Sequence, residues 1–214
     1  MWHAKPKGGY KLGSEEYTDN IKEVYDQLSE TWTLEAICGM LGNMFAESGL
    51  NPWRWQSDSV SLTSKSKGYG LAQFTPAYGY INNYGKDVDG YAPNLSVSEV
   101  KGGSTTDASA QLIVIDTDKA GKFINRKKYC SYVDLTDCYP LETYKQNTDL
   151  WKTTVGWLFN YEFPASKYRT ASYAKIRYLY AQTAYDILQG YTPDPRPTPV
   201  TRKSMPIYMM LRRL

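Results

Sequence analysis

The stretch TLEAICGMLGNMFAESGLNP, residues 33–52, decides how this chain is read. Leu34, Ile37, Cys38, Leu41, Met44 and Phe45 recur at helical spacing, and few polar residues interrupt them. A helix that is apolar on nearly every side has no solvent face, so residues 33–48 predict a largely buried helix. Gly49 supplies a natural C-terminal stop, and Asn51-Pro52 marks the break. Glu47 sits at the end of this helix. The negative helix end and the apolar surroundings both disfavour an ionised carboxylate. A carboxyl group so raised in pKa is suited to donating a proton near neutral pH. The plainer reading is a solvated Glu, although acidic side chains suit that end of a helix poorly.

Working outward, Ile21, Val24, Tyr25 and Leu28 predict an amphipathic helix over 18–30, capped by Thr18 or Asp19. Residues 53–70, rich in Ser, Gly, Lys and Trp, read as loop and short hairpin, and a helical stretch follows Pro76. Residues 86–104 are a polar connection. Ala110, Ile113 and Val114 predict a short helix over 106–117. Trp151, Val155, Leu158 and Phe159 predict another over 149–160, stopped by Pro164. Tyr173, Ile176, Leu179, Tyr180, Thr183 and Ile187 give a last helix over 172–189, with Gly190 just beyond. Pro193, Pro195, Pro197 and Pro199 then force an extended segment. The expectation is a mainly α (α+β) domain over 1–190 and a Pro-rich C-terminal arm over 191–214. No window approaches 18 consecutive apolar residues, so no membrane span is expected. Met1 to Gly9 has no apolar stretch able to act as a signal peptide.

Composition narrows the chemistry. The 214 residues include one histidine, His3, on a terminus expected to be loose. That argues against Ser-His-Asp and Cys-His hydrolases, His-ligated zinc and His-based proton transfer. Acid–base work, if the chain is an enzyme, falls to carboxylates, Lys, Tyr or Cys. Cys38, Cys130 and Cys138 form no CxxC. Cys38 reads as a buried small hydrophobe; Cys130 and Cys138 either close a small loop or remain two thiols. A net charge of +3 is too weak to argue for nucleic acid. Lys119, Lys122, Arg126, Lys127 and Lys128 read as a solvated face, or as attraction to an anionic wall polymer. The 20 Tyr and 6 Trp beside 5 Phe suit either a Tyr-rich core or surfaces that stack on sugars, bases or peptides.

A second motif is Gly68-Tyr69-Gly70-Leu71-Ala72-Gln73-Phe74-Thr75-Pro76. Its glycines allow a tight turn or a close backbone approach by ligand, and Gln73 both donates and accepts, as sugar hydroxyls and acetamido groups require.

Together, Glu47-Ser48, Asn51-Pro52, Trp55-Gln56, Gly70-Leu71-x-Gln73-x-Thr75-Pro76-Ala77 and the later Asn160-Tyr161-Glu162-x-Pro164-Ala165 resemble the phage tail lysozyme family of the lysozyme-like superfamily. The resemblance spans about residues 30 to 166. It implies a lysozyme-like fold, a helical bundle with a small β-hairpin lining a substrate cleft. It implies cleavage of the β-1,4 bond between N-acetylmuramic acid and N-acetylglucosamine. Glu47 matches the family's general acid. Gly70 and Gln73 match the hairpin that lines the cleft, and Tyr161 and Glu162 match a motif that borders it; Tyr69, Gln73 and Tyr161 would hold sugar rings and acetamido groups, with Thr75 a further substrate-binding candidate. The second carboxylate falls in the loop between Pro52 and Gly68, where Asp58 is the only acidic residue. Asp58 is either the partner across the cleft or a loop Asp bound to its own backbone. A separation of about 5 Å between carboxyl groups implies retention, and roughly 6.5–9.5 Å implies inversion.

The implied partner is bacterial peptidoglycan, with phage tail proteins docking on the arm. The implied location is the virion tail, after synthesis in the host cytoplasm. In look-alikes a zinc-dependent peptidase domain follows; none is expected here. The alternatives are a lytic transglycosylase, an endolysin for host lysis, and a non-catalytic wall-binding tail protein.

Overall fold

Helix α2 is the member around which the others pack. The computed structural model describes residues 1–97 and 106–193. Its helices are α1 (Glu15–Leu28), α2 (Leu34–Ser48), α3 (Ala77–Gly79), α4 (Ala108–Asp116), α5 (Leu141–Lys145), α6 (Leu150–Trp157) and α7 (Ala171–Leu188). Helix α3 runs on into a widened π turn, Tyr80–Tyr84, and α6 into another, Leu158–Glu162. The protein is mainly helical.

The central helix meets its expectation closely. Thr33 caps it by accepting from the Ala36 N–H, and Gly49 closes it at φ +60°. Ten of its positions between Ala36 and Ser48 are buried. Two glycines set how close its neighbours come. A Cβ on Gly39 would stand 2.5 Å from Thr153 Oγ1 of α6, and one on Gly42 would stand 2.4 Å from the Arg177 carbonyl oxygen of α7. Asn43, polar within this apolar helix, donates to the carbonyls of Gly39 and Thr154, which ties α2 to α6.

Several local expectations are corrected. The cap of α1 is Ser14, which accepts from the Tyr17 N–H, and not Thr18 or Asp19. Tyr17, four residues before Ile21, belongs to the buried face, so the helix begins a turn earlier than the apolar run from Ile21. The N-terminal residues are not loose. The His3 ring meets Asp19 at 2.8 Å, the His3 N–H donates to Asn20, Ala4 is buried, and Asn51 donates to the carbonyls of Lys5 and Gly8. Helix α7 buries Ala174, Arg177, Ala181, Ala184 and Leu188, whereas Ile176 and Leu179 are exposed. Ile176 and Leu179 lie off the contact face, where the close approach of Gly42 to Arg177 and Ala181 leaves room only for small side chains.

Where a hairpin is expected, the described residues contain two isolated antiparallel pairings, Trp55 with Tyr69 and Tyr69 with Phe74. This segment is fixed by a buried polar hub on α4. Asp107 accepts from Tyr69 Oη (3.1 Å), Tyr80 Oη (2.8 Å) and Gln111 Nε2 (2.9 Å). Gln111 also donates to the Pro52 carbonyl and accepts from the Leu71 N–H. Burial pushes the Asp107 carboxyl up to about 6, against the hydrogen bonds that favour its charge.

Much of the tyrosine excess is core. Tyr17, Tyr69, Tyr80 and Tyr144 are among the largest fully buried side chains. The basic run divides: Lys119, Lys127 and Lys128 are exposed, while Arg126 donates to the carbonyl of Asn160. All three cysteines are free thiols. Among the described residues no helix is long and apolar enough to cross a membrane. The arm from residue 194 and residues 98–105 of the polar connection lie outside the described residues.

Candidate active site

The C-terminal end of α2 opens into a cavity of about 560 Å³. Its helical side carries Glu47 from α2, Glu162 from the turn after α6, and Tyr173 from α7. Its loop side carries Arg54, Gln56, Ser57, Gln73 and Thr75. Thus Glu47, Gln73, Thr75 and Glu162, separated in sequence, share one cavity.

Glu47 is not surrounded only by apolar groups. Arg177 Nη2 donates to Glu47 Oε1 at 2.6 Å, and the Arg177 side chain is 5% exposed against 28% for Glu47. The guanidinium also lies over the Tyr173 ring, 4.3 Å from its centroid, which fixes its plane. Arg177 Nε is buried and has no hydrogen-bond partner among the described residues. A cation this enclosed depends on its one carboxylate partner; removing either partner from such a pair costs roughly 3–5 kcal/mol.

Glu162 sits differently. It accepts from Trp157 Nε1 at 3.3 Å. Its carboxyl is pushed up to about 8, first by burial and next by the charge of Glu47. Lys122, Arg177 and the Trp157 bond act in the opposite direction. Burial lowers the pKa of Lys122 in turn, against the pull of Glu162. The Lys122 ammonium lies 5.7 Å from the Phe74 ring centroid and 5.8 Å from that of Tyr161. Lys122 is therefore no part of a plain solvated face.

The remaining candidates are distributed as follows. Gln73, at φ +44°, donates to the carbonyls of Arg54 and Gly70, which locks the loop beside the cavity. Thr75 donates to the Gln73 carbonyl. Gly70, at φ +84°, backs onto α4; a Cβ there would stand 2.3 Å from Gln111 Oε1. Tyr69 is wholly buried with its hydroxyl on Asp107, so its ring faces the core and not the cavity. Tyr161 stacks on Trp157 with centroids 4.4 Å apart, and its buried hydroxyl has no partner among the described residues. Asp58, at φ +50°, accepts from the Gly8 N–H at 2.9 Å and lies 3.4 Å from Arg54. It is held by backbone from the N-terminal segment, and it does not line the cavity as its neighbours Gln56 and Ser57 do. No group of three or more His, Cys, Asp or Glu able to hold a metal ion occurs among the described residues.

Sequence reasoning did not find Arg54, Gln56 or Tyr173 as cavity residues, or Arg177 as the partner of Glu47. The available signal for Arg177 was its spacing with Ala174, Ala181 and Ala184, a charged residue within a stripe of small ones.

Comparison with known proteins now bears on this geometry. The sequence pattern described as "Phage tail lysozyme" matches residues 19–188, most of the chain. A 72-residue stretch is 46% identical to "Morphogenesis protein 1" of Bacillus phage B103. That match covers 33% of this chain and 19% of the relative, so it spans about a fifth of the relative's length.

Proposed function

The chain belongs to the phage tail lysozyme family, and from that premise we propose that it is a muramidase of the phage tail, acting on bacterial peptidoglycan. It cleaves the β-1,4 bond between N-acetylmuramic acid and N-acetylglucosamine. Glu47 is the carboxyl that faces the glycosidic oxygen and protonates it as the bond to the sugar C1 breaks. Gln56, Gln73 and Thr75 supply donors and acceptors for sugar hydroxyls and acetamido groups, and Tyr173 supplies an aromatic face. Asp58 contributes by bracing Arg54 on the loop side. The cleft belongs to a lysozyme-like fold within a catalytic domain over 1–190. The protein is carried on the virion and opens the wall during entry, with the arm over 191–214 as its tail attachment.

The observation that supports this reading is one cavity holding Glu47 and Glu162, with Gln73 and Thr75 beside them, in a chain of this family. The test is Glu47→Gln, which keeps the shape and removes the titrating group. Clearing of cell-wall suspensions should slow by about 100-fold or more, the usual contribution of a positioned proton donor. Wild type that clears walls no faster than the variant sinks the reading. Mass spectrometry of the products should show reducing muramic ends; 1,6-anhydro ends would assign the chemistry to a lytic transglycosylase instead.

A further inference from the structure

The cavity is lined by two carboxyl groups, and these are partnered unequally. Glu47 has a short, direct contact with the buried guanidinium of Arg177, 2.6 Å from oxygen to nitrogen. Glu162 has a neutral partner, the Trp157 indole, at 3.3 Å. Both line the same cavity. Arg177 is pinned over Tyr173 and is 5% exposed, so it has little freedom to leave Glu47 for Glu162. Two carboxylates in one enclosed site repel, and such pairs titrate as a unit with one proton shared.

We propose that Glu47 and Glu162 act as a carboxyl pair, with Arg177 positioning Glu47 and Glu162 holding the proton that the pair supplies. The proposal rests on the muramidase reading and adds to it a proton-holding residue and a positioning residue. In the reaction the pair gives up its proton to the departing glycosidic oxygen as the C1–O bond breaks. Water then delivers hydroxide to C1 and its remaining proton to the pair, which restores the resting state.

The charged and titratable groups around Glu162 come from four directions. Glu47 of α2 opposes its ionisation, Lys122 from the loop after α4 and Arg177 of α7 favour it, and the Trp157 indole from α6 donates to it. Burial and Glu47 prevail, and the group is pushed up to about 8. The pair therefore keeps its proton through neutral pH and loses it on the alkaline side.

The experiment is a pH–rate profile of wall clearing for wild type and Glu162→Gln, with carbon-detected NMR titration of glutamate-labelled protein. Wild type should show an alkaline limb near pH 8 and one Glu carboxyl titrating there. In Glu162→Gln that signal should vanish and the limb should move to lower pH by more than a unit, with activity at pH 5 better preserved than at pH 7.5. Arg177→Gln, read by the same titration, should move the Glu162 signal to higher pH. A limb unmoved in Glu162→Gln overturns the proposal, and so does an alkaline-titrating signal that survives Glu162→Gln but disappears in Glu47→Gln. If Glu162→Gln fails to fold, the wild-type titration and the Arg177→Gln shift decide alone. A wild type without wall-clearing activity defeats the muramidase reading, and the NMR titration still tests the proton on Glu162.

Discussion

The two sides of the cavity are held by different physics. The helical side rests on close backbone approach: Gly39 and Gly42 bring α6 and α7 against α2, and the side chains between them are small or apolar. The loop side has no extended strand among the described residues; its arms are joined by a few backbone bonds, from the Gln56 N–H to Gly68, from the Gly70 N–H to Arg54 and between Tyr69 and Phe74. It is held by Asp107 and Gln111, which reach from α4 to Pro52, Tyr69, Leu71 and Tyr80. Van der Waals packing fixes where a helix lies and polar bonds fix where a loop lies, so a cavity can be assembled at their meeting line.

This contrast can be broken from either side. The largest effect is expected from Asp107→Ala on the loop side. It strands the donors of Tyr69, Tyr80 and Gln111 in a buried site. At roughly 1–3 kcal/mol for each unmet buried group, a loss of about 4 kcal/mol is expected. Urea denaturation should record that loss. Far-UV circular dichroism at low denaturant should keep its helical signal while wall clearing falls. A variant with unchanged midpoint and activity would show that the hub does not hold the loop.

A smaller loss is expected on the helical side from Gly42→Ala. The new Cβ would meet the backbone of Arg177 and Ala181, which cannot move aside as a flexible side chain would. Overpacking of this kind costs about 2 kcal/mol. Because the displaced residue is Arg177, the pairing with Glu47 should loosen too, so activity should drop beyond the change in thermal midpoint. Equal or higher stability in the variant would mean that α2 and α7 are not in close contact.

The smallest effect is expected from Ser14→Ala. This removes the side-chain acceptor for the Tyr17 N–H at the start of α1, remote from the cavity. The expected cost is about 1 kcal/mol, with wall clearing at room temperature unchanged. A strong loss of activity would tie α1 to the site more directly than its packing implies.

Much of the helical side was legible in the sequence. Apolar spacing from Leu34 to Phe45 gave α2, and Gly49 gave its end, because both signals are local to the backbone that obeys them. The loop side was legible only as a motif. Gly70 and Gln73 stand out as residue types, but their partners Gln111 and Arg54 follow from tertiary placement. Tyr69 illustrates the limit. Its type fits a sugar platform and a core ring equally, and the buried Asp107 decides for the core. Asp58 was singled out as the only carboxylate in its loop, yet Gly8 and Arg54 take up its oxygen Oδ1.

The sequence by itself determined a mainly helical chain, a central buried helix ending at Gly49, and Glu47 at that end. Its single histidine, His3, also argued against histidine-based proton transfer. Only the tertiary structure decided which face of α7 turns inward, and therefore that Arg177 meets Glu47 across 130 residues of chain. Hydrophobic periodicity is written within a few turns of one helix. A charge pair is a property of two helices brought together, and here the brought-together surface is small residues, which carry little apolar signal of their own.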